Sequence, residues 1–408
     1  MTAAVRQSVP ELRNEPRLTL VLALKGRYLF TLRLLWHANE ARLPYRILIA
    51  DGQVHPALAR ILDSSKAAFP NLDIEYVRYP DDADVSCYYN KMADALARVR
   101  TPYAMLVDND DFVYGSGLEQ SINFLQEHSD YVAAAGSIIG FAAYSGLDNA
   151  SDGLTGRINR LYKYYDATDV TSSAAAERLR RGGRNLWIYY AVYRTEALAT
   201  ICREVAEINF SDLLFHEAYH VMRALTLGKV RLDNASVSYA RQFGTSSSAA
   251  ANRYWARQLV RGRFTEDVRG LVARISSAAA AADGCERSEM TDLAYDVLEA
   301  KFGQFLNAVF GSVQEMKARF RDRAPGLIAA WNNRPRFFIG RERERLIAQL
   351  AAAGASPPHI AQFRSELADM ENAVAGRAFA QFLAPYLSQL RPARDESLDG
   401  AATVRANA

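Results

Sequence analysis

Residues 108–111 read Asp-Asn-Asp-Asp and come directly after the apolar run Tyr103–Val107. Three carboxylates at the carboxyl end of a buried strand repel one another and are costly to desolvate unless a positive charge sits among them. In an open α/β sheet that end of a strand is where ligands bind. Hard divalent cations take carboxylate oxygens, and Mg²⁺ uses one or two of them together with substrate phosphates. The pattern points to a metal–diphosphate site. The competing reading is a solvated turn whose Asp residues cap the next helix. A second group is HEAYH, with His216 and His220 four apart around Glu217. Both imidazoles could face one side of a helix, but the HExxH spacing of a zinc site is absent.

The elements that must position these groups alternate. Leu18–Leu24 is a continuous apolar run of the kind found in a central parallel strand, stopped by Lys25-Gly26-Arg27. A helical pattern runs through Tyr28–Ala41, then a buried strand Tyr45–Ala50 ends in Asp51-Gly52. A helix over Pro56–Phe69, a strand over Asp73–Tyr79 and a helix over Ser86–Val99 lead into Tyr103–Val107. This order predicts a doubly wound, mostly parallel sheet with right-handed crossovers. Neither GxGxxG nor GxxxxGK[ST] occurs, so phosphate would be held by metal carboxylates instead.

Further on, the pattern predicts a helix over Gly117–His128 and short strands over Tyr131–Ala135, Leu186–Tyr193 and Lys229–Tyr239. A helix capped by Ser211-Asp212 reaches Leu227 and stops at Gly228. Ser145–Gly183, with its RLRRGG run, reads as a long binding loop or lid that exposes Tyr162, Tyr164 and Tyr165, and Arg241–Ser248 as a polar loop. From about Asn252 to Leu390 helical spacing of Ala, Arg, Glu and Leu dominates, enough for five to seven helices, and the alanine run around Ala280 reads as a helix end or linker.

Half of the 408 residues are hydrophobic and 23% charged, a globular composition. A net charge of +3 carries no nucleic-acid footprint. Cys87, Cys202 and Cys285 form no CxxC or CxH pattern, which argues against a disulfide framework or structural zinc and fits a reducing compartment. No stretch has the length of a membrane span and the start lacks the order of a signal peptide, so the expected location is cytoplasmic.

Roughly residues 17–248 resemble the family 2 type of GT-A glycosyltransferases. The likeness rests on order: an apolar first strand; ILIADG, whose acidic-Gly pair contains Asp51; CYYNKMADALARV with Asn90; MLVDNDD; and HEAYHVMRALTLG with Glu217, Arg223 and Gly228. It implies a GT-A-type sheet domain over residues 17–248; composition and spacing set beside it a flexible start at 1–16, an α-helical C-terminal domain at 249–391 and a disordered tail at 392–408.

It also implies that Asp110 is the principal ligand of Mg²⁺ or Mn²⁺, with Asp108 on the metal or the nucleotide ribose. Asp51 would recognise the base or ribose, Asn90 would help hold the donor, and Glu217 would be the catalytic base. Two departures stand out. The family more often has Asp at the base position, and its Arg-x-His segment is here Arg241-Gln242-Phe243, which leaves Arg241 or Gln242 for the diphosphate.

The implied reaction is inverting transfer of a sugar from a nucleotide-sugar donor to a glycan or lipid-linked acceptor. Asp212 is the second candidate base, with helix capping as its structural reading. The helical region would pair with a second copy or lie on a membrane surface. The alternatives are a non-catalytic scaffold on the same sheet and a sugar nucleotidyltransferase, for which LALKGRYLF is a poor version of the required loop.

Overall fold

The computed structural model describes residues 16–144, 156–163, 168–183, 186–243, 263–310, 339–375 and 377–390. The expected loose start before residue 16 and tail after 390 lie outside the described residues, as do Tyr164 and Tyr165.

Strands β1 (Leu18–Leu24), β2 (Arg46–Asp51), β3 (Asp73–Arg78) and β4 (Tyr103–Val107) are parallel. They alternate with helices α1 (Tyr28–Glu40), α2 (Pro56–Asp63), the single turn α3 (Ser65–Ala68) and α4 (Val85–Arg98). Leu24 pairs with Asp51 and Leu22 with Val107, and this register makes the chain leaving β1 run beside residues 108–110. The exit from β1 is tight. Gly26 and Arg27 both take the left-handed conformation, with φ of 63° and 52°, strain that a residue with a Cβ rarely accepts. At the end of β2, Gly52 lies so close to Asp82 that a Cβ would stand 2.4 Å from its carboxyl, which accounts for the Asp-Gly pair.

Beyond β4 the sheet turns mixed. The two-residue β5 (Phe112–Val113) and α5 (Gly115–Glu127) precede β6 (Tyr131–Tyr144), β7 (Arg157–Lys163) and α6 (Ala175–Gly182). A 3₁₀ turn (Leu186–Tyr190), β8 (Val192–Arg194), α7 (Thr195–Ile208), α8 (Leu213–Leu227) and β9 (Lys229–Gln242) complete this part. The strand order is β3-β2-β1-β4-β8-β6-β9-β5, with β7 also on β6.

Several expectations are corrected. LWIYYAVY is a 3₁₀ turn and a three-residue strand, because Tyr189 and Tyr190 turn into the protein instead of alternating across a sheet. RLRRGG is the end of α6 and the turn after it, where buried Arg178 donates to the carbonyls of Leu225 and Thr226. The strand expected over Tyr131–Ala135 is 14 residues long, because β9 covers one edge while β8 and β7 share the other. The alanine run, by contrast, is a helix end as expected, closing the helix Arg263–Asp283.

The C-terminal region is helical among the described residues: α9 (Arg263–Asp283), α10 (Arg287–Phe310), α11 (Ile339–Ala352), α12 (Pro357–Ala375) and α13 (Arg377–Leu390). It shares its core with the sheet. One apolar cluster runs from Leu18 on β1 through Ile275, Val297 and Leu383, and a second joins Phe112 and Phe141 to Phe363 and Met370. These helices also cap the sheet part. Asp283 accepts the Ala175 and Ala176 N–H groups at the start of α6, and Glu366 accepts the Ser116 N–H at the start of α5. Neither helix has a side-chain cap of its own at its N-cap residue, and such caps contribute about 1 kcal/mol each. No described helix is long and apolar enough to cross a membrane.

Candidate functional site

The carboxyl ends of β1 and β4, α4, the 3₁₀ turn, α8 and the end of β9 enclose a cleft of about 350 Å³. Asp108, Asp110 and Asp111 line one side, and each has a carboxylate oxygen within 4.8 Å of the others. Each is held. Asp108 accepts the Tyr190 hydroxyl at 2.7 Å, while its N–H donates to the Tyr239 hydroxyl at 3.1 Å. Asp110 accepts Arg27 at 2.9 Å and Asp111 accepts the Gln242 N–H at 2.7 Å. The Asp111 Oδ2 is buried with no hydrogen-bond partner. Burial first, and then the charge of Asp110, raise the proton affinity of both Asp108 and Asp111. A cluster built this way is stabilised by a hard cation, whose charge offsets the repulsion and whose coordination takes the orphaned oxygen. The residues present fit such an ion.

Beneath the acids lies Arg33 of α1, fully buried, donating to the Asp110 carbonyl and the Gln242 side chain, both at 2.6 Å. Gln242 is therefore bound to the cluster's scaffold. Arg241 lines the cleft with its guanidinium 5.6 Å from the Tyr190 ring. Burial works against its charge, but Tyr190, Asp111, Asp108 and Glu217 outweigh that and hold it firmly protonated. Lys25, Arg27 and Lys91 add positive charge to the same cleft. Lys91 pairs with buried Asp82, and Lys25 donates to the Asp82 carbonyl.

The opposite wall is α8. Asp212 is its N-cap, accepting the Leu214 N–H at 2.8 Å, and is not among the cleft-lining residues. The capping reading of Asp212 is the one the geometry carries. Glu217 does line the cleft, and it accepts no hydrogen bond from a described residue. Burial raises its proton affinity, opposed by Arg241 and Lys301. His216 and His220 are buried among Tyr88, Tyr89, Tyr189 and Tyr193, with no partner on any ring nitrogen. Burial pushes His216 down to about 4 and His220 well below its ordinary value, so both are neutral near pH 7.

Two residues expected to contact the donor lie outside the cleft lining. Asp51 is fully buried outside the cleft lining, its oxygens taken by the Gln53 N–H at 3.0 Å and the Tyr76 hydroxyl at 2.6 Å. It acts as a brace between β2 and β3. Asn90 is exposed and does not line the cleft; Tyr88 and Lys91, close to it on α4, do. The sequence pattern did not single out Lys25, Arg27, Lys91 or Tyr88. Lys25 and Arg27 were findable, since they leave a strand that neighbours the acid strand.

No protein-family model matches the chain, and neither does any curated protein sequence. Among solved structures, it is similar to residues 1–349 of S. aureus TarS with UDP-GlcNAc, at 10% identity over 90% of this chain and 92% of that one, TM-score 0.46. The same TarS segment alone gives 11% identity over 90% and 91%, TM-score 0.42. The mannosyltransferase PcManGT from Pyrobaculum calidifontis, in complex with GDP-Man and Mn²⁺, gives 12% over 85% and 89%, TM-score 0.37. Likenesses this low assign no activity; the cleft has to speak through its own side chains.

Proposed function

We propose that the chain is a metal-dependent, inverting glycosyltransferase that moves a sugar from a nucleotide-sugar donor to an acceptor hydroxyl of a glycan or lipid-linked saccharide. One observation carries the reading: three mutually repelling carboxylates and an isolated glutamate line the same cleft, alongside Arg241, Lys25 and Lys91.

Asp108, Asp110 and Asp111 would hold Mg²⁺ or Mn²⁺, which when bound supplies Lewis-acid neutralisation of the leaving diphosphate. Arg241, still charged in its partly buried setting, would meet the same developing charge. The aromatic faces of Tyr88, Tyr189 and Tyr190 would hold the sugar and exclude water. Glu217 would accept the acceptor proton: its Oε takes the hydroxyl hydrogen, the oxygen's electron pair forms the bond to the anomeric carbon, and the bond to diphosphate breaks on the opposite face. A single displacement of this kind inverts the anomeric centre.

The test is nucleotide release from a panel of nucleotide sugars with candidate acceptors, with and without EDTA, and product stereochemistry by NMR. EDTA-sensitive release with an inverted product is expected. Absence of release from every donor would sink the reading, and a retained product would remove Glu217 as a single-displacement base.

A further inference from the structure

Tyr239, Arg241 and Phe243 alternate along the end of β9 and its continuation, and so stand on one face of the sheet. Tyr239 stacks on Tyr190 with ring centroids 4.5 Å apart, and Arg241 lines the cleft beside that same Tyr190 ring. Phe243 continues the ladder, its N–H donating to the Phe141 carbonyl at 2.8 Å. Its ring stacks on Tyr162 of β7, with centroids 5.6 Å apart and planes 20° off parallel. Beneath the pair lies Gly140 of β6, whose register partners are Arg241 on one side and Tyr162 on the other. A Cβ there would stand 2.4 Å from the Phe243 ring and 2.8 Å from the Tyr162 ring, so glycine is what lets the two rings lie across β6. Tyr162 is 38% exposed. The other exposed large hydrophobic side chains among the described residues, Val54, Leu227 and Tyr295, belong to other elements: the β2–α2 turn, the end of α8 and α10.

We propose that Tyr162 and Phe243 form an acceptor subsite that seats a pyranose ring of a glycan, a short way along the chain from the sugar whose hydroxyl reacts. The C–H face of a pyranose packs flat on an aromatic ring while its hydroxyl rim stays in water or meets polar groups. An exposed ring standing apart from the other exposed hydrophobic side chains suits that shape, whereas an acyl chain needs a continuous apolar strip. Strand spacing sets β7 about 10 Å from β9, so a saccharide seated on Tyr162 reaches Arg241 and the cleft with one or two further units. It crosses β6 at Gly140, with the Phe243 ring as its floor. The acceptor is therefore a saccharide of several units and not a single sugar or a bare lipid phosphate. The acceptor role rests on the glycosyl-transfer reading; the grip on a saccharide does not.

The experiment titrates the full chain with maltotriose, cellotriose, chitotriose and mannotriose by saturation-transfer NMR, in the parent, Tyr162→Ala and Tyr162→Phe. At least one trisaccharide is expected to bind the parent, to bind Tyr162→Ala about tenfold more weakly, the scale of losing an aromatic contact, and to bind Tyr162→Phe as the parent does. In transfer assays the ratio of kcat/KM for that trisaccharide to kcat/KM for its monosaccharide should fall about tenfold in Tyr162→Ala, through KM for the acceptor. A general folding defect lowers both values and leaves their ratio in place, which overturns the proposal. So does a parent chain that binds no trisaccharide, or a Tyr162→Ala chain that binds one equally well. Should Tyr162→Ala not fold, Tyr162→Leu removes the ring and gives the same reading. A trisaccharide held through Tyr162 by a chain that transfers from no donor keeps the subsite and overturns glycosyl transfer.

Discussion

The two walls of the cleft hold their polar groups in opposite ways. On the strand wall each acid has an assigned hydrogen bond, from Tyr190, Arg27 or the Gln242 N–H. On the helix wall His216 has none, nor does His220 one turn further along α8, and Glu217 accepts none from a described residue. Hydrogen bonds that fix a ligand's orientation suit an ion that stays in one place. Unspent donors and acceptors suit groups that come and go, such as an acceptor hydroxyl and the water it displaces.

The most forceful way to break this contrast is Asp110→Ala, which should cut transfer by roughly 10³-fold, the scale of losing a main electrostatic stabiliser. It should also abolish Mn²⁺ binding in calorimetry. Retained Mn²⁺ affinity would remove the strand wall as the cation site. Glu217→Gln should lower kcat by roughly 10²-fold or more, while Mn²⁺ and nucleotide binding stay at parent levels. Loss of metal binding there would mean that the walls do not divide the work. Tyr190→Phe deletes the hydroxyl on Asp108 and should weaken Mn²⁺ by about tenfold, the scale for a group that orients a ligand.

The smallest effect is in pH. Asp108 and Asp111 bind protons more tightly folded than unfolded, so without metal they subtract stability as pH rises through their raised values. Mn²⁺ should therefore raise Tm more at pH 7 than at pH 5. The buried histidines have the opposite sign, adding stability as pH rises from about 4 toward 6.5, but they act alike with and without metal and cancel in the difference. A thermal shift independent of pH would argue against the cation resting on these acids.

Much of the strand wall was legible from sequence. β1 and β4 begin and end where their apolar runs do, because strands buried on both faces are continuous apolar stretches bounded by polar residues. Their neighbours are placed by alternation. β6 was not legible at full length: AAAGSIIGFAAY is a weak strand signal, and pairing along both edges makes it one. The 3₁₀ turn at LWIYY was hidden by aromatic composition, which suits a strand equally well. In the site, Asp108, Asp110 and Asp111 stand out as acids at a strand's end, whereas only the resemblance in motif order points to Glu217, inside α8. Asp51 and Asn90 lie outside the cleft lining because residues one position apart on a helix, or just below a strand's rim, differ in direction and not in type.

The borrowed caps have a temporal consequence. The ribosome releases α5 and α6 well before it makes Glu366 and Asp283, so both helices emerge with their first turns unsealed. The helix that follows the acid strand thus gains its cap only once α12 has been made. A nascent chain halted short of α12 would carry every residue that lines the cleft but would still lack the Glu366 cap on α5.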